Sequence, residues 1–132
     1  MILVDTNVLV DLLEDEPEWV DWSTERMREL SLNHELVINP IIYAELSLTF
    51  TVVEDLDDAI AELELRVAEI PRPALFLAGK AYIEYRKRGG IKNNVLPDFL
   101  IGAQAAILGV SILTRDVRRF RTYFPSVNLI TP

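Results

Sequence analysis

The chain contains no cysteine. Disulfide frameworks, thiolate nucleophiles and thiolate metal sites are therefore excluded. It has one histidine, His34 in Leu32-Asn33-His34-Glu35, which reads as a surface loop residue away from any candidate partner, so histidine-based nucleophilic catalysis is not expected. Ser111, inside an apolar run, has no base beside it either. Glycine is scarce, at five residues, and Gly89-Gly90 is a lone turn signal without the spacing of a P-loop or a dinucleotide-binding loop. No apolar run approaches the roughly 20 residues that span a bilayer. Met1-Ile2-Leu3-Val4-Asp5 meets an acid before any basic region or small-residue cleavage site, so the reading is of a cytoplasmic protein with no signal peptide and no membrane partner.

Within 132 residues, half are hydrophobic and 26% are charged, with a mean hydropathy of +0.19. This balance excludes intrinsic disorder and suits a single domain over residues 1–132. The net charge of −8, taken whole, argues against nucleic-acid binding, because affinity for phosphate backbones comes from lysine and arginine. Its distribution argues otherwise. Residues 1–69 set 18 acids against Arg26, Arg28 and Arg66, a balance of −15, whereas residues 70–132 set ten bases against Glu84, Asp98 and Asp116, a balance of +7. A pair of solvated helix faces is the plain alternative.

Ile2–Val4, Leu36–Ile38, Val110–Leu113 and Val127–Ile130 read as short buried strands. Between them lie helical patterns over Thr6–Leu13, from Pro17 to about Leu32, after Asn39-Pro40, over Asp55–Glu69 and Ala74–Arg88, from Leu96-Pro97-Asp98 to Leu108, and over Val117–Tyr123. Strands separated by helices imply crossover connections, hence a three-layer α/β/α sandwich around a mainly parallel sheet of four to five strands. In such sheets ligands bind beyond the carboxyl ends of the strands.

Four acids stand out by their apolar surroundings: Asp5 directly after Ile2-Leu3-Val4, Glu45 within Ile41-Ile42-Tyr43-Ala44, Asp98 within Leu96-Pro97 and Phe99-Leu100-Ile101, and Asp116 just after Val110–Leu113. Singly, each has an ordinary role. Asp98 suits a helix start, Asp5 and Asp116 suit turns after strands, and Glu45 suits an exposed helix position. Jointly they do not, if the sheet brings them to one edge. Two carboxylates about 5 Å apart repel by roughly 3 kcal/mol at an effective dielectric near 20, so a cluster needs a divalent cation or protonated members. Oxygen-only donors favour Mg²⁺, with Mn²⁺ as substitute, over zinc, and such an ion retains water able to attack a phosphate.

These residues resemble a PIN domain of the VapC type, the toxin ribonucleases of bacterial and archaeal toxin–antitoxin pairs. The resemblance rests on Ile2-Leu3-Val4-Asp5-Thr6-Asn7-Val8-Leu9, Glu45, Leu96-Pro97-Asp98-Phe99-Leu100-Ile101-Gly102-Ala103, Leu113-Thr114-Arg115-Asp116, Arg119-Phe120 and Tyr123-Phe124-Pro125. It covers essentially the whole chain; Gln104 departs from it, standing where relatives often carry histidine. It implies a PIN-like fold in a prokaryotic cytoplasm and a metal-dependent endoribonuclease. Asp5, Glu45, Asp98 and Asp116 would form the acidic, metal-binding and catalytic cluster, with Asp5 and Asp98 as direct ligands. Thr6, Asn7 and Thr114 are polar neighbours suited to orienting them. Arg86, Lys87, Arg88, Lys92, Arg115, Arg118 and Arg119 flank two of the four acids and suit RNA phosphates. The resemblance also implies a homodimer and a VapB-type antitoxin, whose docking could use Trp19, Trp22, Tyr43, Leu46, Leu48 and Phe50, core packing being the plainer use of each. A PIN-like module that binds RNA or protein without cleaving is the alternative. A haloacid-dehalogenase-type phosphatase would want an acid at Asn7, and a receiver domain would want paired acids after the first strand.

Overall fold

Three consecutive apolar residues, Ile2–Val4, form β1, and all three are buried. A run without polar alternation is what a strand covered on both faces requires. The structure, a computed structural model describing residues 1–92 and 94–132, places β1 at the centre of a five-stranded sheet. Its order is β3 (Arg66–Val67), β2 (Leu36–Ile38), β1, β4 (Ser111–Leu113), β5 (Leu129–Ile130). Every neighbouring pair is parallel, with Leu3 opposite Val37 on one side and Ile112 on the other. The α/β/α sandwich is thus as expected, at the upper end of the expected strand number.

Among the described residues seven α-helices and one 3-10 turn (Ser47–Thr49) join and flank the strands: α1 (Thr6–Leu13), α2 (Val20–Ser31), α3 (Pro40–Leu46), α4 (Val53–Glu62), α5 (Arg72–Lys87), α6 (Leu96–Leu108) and α7 (Arg118–Tyr123). Several boundaries follow from local chemistry. Asn39 caps α3 by accepting the Ile42 N–H at 2.8 Å, with Pro40 in its first turn. Gly109, in a left-handed conformation at φ +66°, ends α6. The helix expected over Asp55–Glu69 is a correction: α4 ends at Glu62, Glu64 turns the chain at φ +56°, and Arg66–Val67 becomes the edge strand β3. Periodicity missed the break because Leu63 and Val67 continue the helical spacing past the turn.

Successive strands run outward from β1 in one direction through β2 and β3 and in the other through β4 and β5. The connectivity therefore reverses between β1 and β4, which opens a crevice at their carboxyl ends. On one flank Phe99 of α6 anchors an aromatic cluster, with Tyr123 edge-on at 5.2 Å and the rings of Tyr82, Tyr85 and Phe124 within 6.3 Å. That packing fixes the start of α6 over the sheet edge. Among the described residues no helix is long and apolar enough to cross a membrane.

Candidate active site

The crevice is a cleft of about 340 Å³ whose lining includes Asp5, Glu45, Asp98 and Asp116. Four elements deliver them: the exit of β1, α3, the first turn of α6 and the turn after β4. Asp5 is 6% exposed and begins α1, with Oδ1 accepting the Thr6 N–H at 2.8 Å. Its Oδ2 accepts the Thr114 hydroxyl at 2.8 Å and the Asn7 side-chain amide at 3.3 Å. Since Thr114 directly follows β4, Asp5 is tied across the point where the connectivity reverses. The Thr6 hydroxyl donates to Glu45 Oε1 at 2.7 Å, linking α1 to α3. Asp98 Oδ2 accepts from Arg119 Nη1 at 3.0 Å, and Asp116 accepts from the Arg118 guanidinium at 3.4 Å.

Burial pushes the Asp5 carboxyl up from 3.8 to about 7; hydrogen bonds from Thr114 and Thr6 oppose the rise, and the charges of Asp98 and Glu45 add to it. Burial also raises Asp98, against the Arg119 charge and with help from Asp116 and Glu45. For Asp116 burial acts upward but is outweighed by hydrogen bonds and charge from Arg118 and by the Arg119 charge, which leave it below the usual carboxylate range. The ordinary roles hold only in part. Asp98 lies in the first turn of α6, where its charge complements the helix dipole although no side chain caps that helix, and Asp116 serves its turn by accepting the Arg118 N–H at 3.3 Å, whereas Glu45 is only partly exposed.

The PIN-domain family matches residues 2–124. The chain belongs to that family. Solved structures of the same fold include VapBC2 from Rickettsia felis bound to a promoter DNA fragment, with a TM-score of 0.76 and 21% identity over 100% of this chain and 99% of that one. VapBC-1 from nontypeable Haemophilus influenzae gives 0.73 and 26%, over 99% and 98% of the two chains. FitAcB from Neisseria gonorrhoeae gives 0.71 and 22%, over 98% and 96%. None of the curated proteins matches the chain in sequence.

The donors lining this PIN cleft are carboxylate, hydroxyl and amide oxygens, which suit a hard divalent ion. A carboxyl as buried as Asp5, facing two further carboxylates, either keeps its proton or, once ionised, needs a countercharge. Among the described residues, however, no three acids are already gathered into a metal cage. Asp98 and Asp116 are instead drawn to Arg119 and Arg118, and Glu45 to Thr6.

Of the basic residues expected to contact RNA, Arg115 and Arg119 line the cleft. Arg118 is exposed at its rim on Asp116, while Arg86, Lys87, Arg88 and Lys92 are exposed at the end of α5 and just beyond. Arg88 bonds Glu84 and lies over the Tyr123 ring at 5.4 Å. Leu46, read as possible docking surface, is a buried core residue and is corrected here; Leu48 beside it is 86% exposed. Gln104 is buried between Asn39, whose amide donates to it at 2.9 Å, and the Glu69 carbonyl, to which it donates at 3.1 Å. It thereby ties α3 to α6.

Besides Asp5, one further acid among the described residues is buried, and the sequence reading does not single it out. Asp11 of α1 is 1% exposed and holds Arg115 through two hydrogen bonds, at 2.7 and 2.9 Å. Its signal was present, since Val10 and Leu12 flank it in an apolar run.

Proposed function

We propose that this PIN domain is a metal-dependent endoribonuclease and the toxin member of a toxin–antitoxin pair. The observation that carries the reading is the convergence of Asp5, Glu45, Asp98 and Asp116, from positions far apart in the chain, on one cleft. Asp5 and Asp98 would hold Mg²⁺ or Mn²⁺, with Glu45 and Asp116 ligating directly or through water. Bound there, the ion supplies Lewis-acid activation of water and charge neutralisation at an RNA phosphate. Thr114 and Asn7 fix the Asp5 carboxylate, and Thr6 fixes that of Glu45, so the acids are oriented before substrate arrives. Arg119, on the cleft wall, offers a phosphate the positive charge that now rests on Asp98. The exposed bases Arg86, Lys87, Arg88, Lys92 and Arg118 extend that charge along the path of an RNA strand.

The partner assignments follow the same reading. The solved VapBC and FitAB complexes of this fold support a VapB-type antitoxin as partner; a homodimer completes the proposal. The test is cleavage of RNA by the purified chain. Turnover is expected with Mg²⁺ or Mn²⁺, is abolished by chelator, and falls about 100-fold or more in Asp98→Asn. Wild-type rates in Asp98→Asn would defeat the assignment.

A further inference from the structure

Arg115 follows Thr114 and precedes Asp116, and its sequence context suggested an RNA contact. Its geometry points inward. The guanidinium meets Asp11 with both arms, Nε to Oδ2 at 2.7 Å and Nη2 to Oδ1 at 2.9 Å, and lies over the Trp19 ring at 5.0 Å. Asp11 is itself fixed, because the Ser23 hydroxyl of α2 donates to its Oδ2 at 2.7 Å. A charge neutralised in this way has little left to offer a phosphate.

The backbone of the same residue is held separately. The Arg115 N–H donates to Asn7 Oδ1 at 3.2 Å. Asn7 and Asp11 are four residues apart on α1 and so stand on one face, one turn apart. One helix face therefore grips Arg115 twice, by its main chain and by its side chain. Two-point attachment removes the rotation that a single contact would leave. The Asn7 amide also reaches Asp5 and Thr114, at 3.3 Å each, so the helix that begins at Asp5 sets the position of the turn that carries Asp116.

From this we infer that the Asp11–Arg115 pair is a positioning clamp, with Asp11 and Arg115 acting through the 114–116 turn to hold Asp116 in register with Asp5. The consequence for metal binding rests on the proposed nuclease reading; the clamp does not.

The test is amide hydrogen exchange on the intact, metal-free chain, paired with Mn²⁺ titration calorimetry. In Asp11→Asn and in Arg115→Gln the amides of Arg115 and Asp116 are expected to exchange at least about tenfold faster, while that of Asp5, bonded to the Leu113 carbonyl, is unchanged. Mn²⁺ affinity is expected to fall about 10–100-fold in each, with no further loss in the double variant because the pair acts as a unit. Ser23→Ala, which keeps the ion pair, gives a smaller shift in the same direction and serves if a charge variant fails to fold. A residue with only a structural role would lower the melting temperature and leave local exchange and Mn²⁺ affinity as in wild type; unchanged exchange overturns the clamp, and unchanged Mn²⁺ affinity overturns its consequence for metal binding. If the wild type binds no Mn²⁺, the nuclease reading falls while the exchange rates still decide the clamp.

Discussion

Asp5 joins a strand end, a helix start and a cleft in one side chain, and its protonation has a thermodynamic consequence. Its carboxyl titrates near 7 when folded and near 3.8 when exposed. Between those values the folded chain holds a proton that the unfolded chain has lost, so stability declines as pH rises through that window. The gap corresponds to about 4 kcal/mol. Asp98, also raised by burial, acts with the same sign. Melting in the presence of chelator is therefore expected at a higher temperature at pH 5 than at pH 8, with Asp5→Asn flattening the difference. A wild-type melting temperature that climbs from pH 5 to pH 8 would contradict this account. Mn²⁺ added near neutral pH should displace protons, seen as a heat that depends on the buffer.

Elements rich in apolar residues were legible from the sequence. The central strands declared themselves as unbroken runs, and the four acids declared themselves as exceptions to such runs. What the sequence concealed was set by backbone conformation and by distance. The turn at Glu64 carries no glycine or proline, so nothing local separated α4 from β3, and only sheet pairing through Val37 and Ile38 makes Arg66–Val67 a strand. Asp11 and Arg115 lie 104 positions apart, and their pairing follows from the alignment of β1 with β4. Two substitutions test the elements. Glu64→Gly relieves the left-handed backbone and is expected to raise stability by up to about 1 kcal/mol in chemical denaturation. Gly102→Ala is expected to lower it by about 1–3 kcal/mol, because a Cβ on α6 would sit 2.3 Å from the buried Phe124 ring. Unchanged unfolding of Gly102→Ala would mean that α6 and α7 pack less closely than described.

Across the whole molecule, charge is divided rather than mixed. The acidic residues dominate through Glu69 and the basic ones after it, and the cleft lies where the two halves meet, with Asp5 and Glu45 from the first and Asp98, Asp116, Arg115 and Arg119 from the second. If the basic half receives RNA, the Michaelis constant for RNA cleavage must rise with ionic strength despite the net negative charge. Replacing Lys87 or Lys92 by alanine is expected to lower the slope of that dependence by about one each. A salt-independent Michaelis constant would remove the basic half from substrate binding.

The order in which this chain is synthesised follows from the same division. Asp5 and Glu45 leave the ribosome early, but β4 and the Thr114–Asp116 turn that completes the cleft come late. A nascent chain that has not yet extruded Asp116 lacks one wall of the crevice and the residue that α1 grips. Activity, on the proposed reading, therefore waits until the Thr114–Asp116 turn has emerged and folded against α1, and translation that stops short of residue 116 yields an inert product.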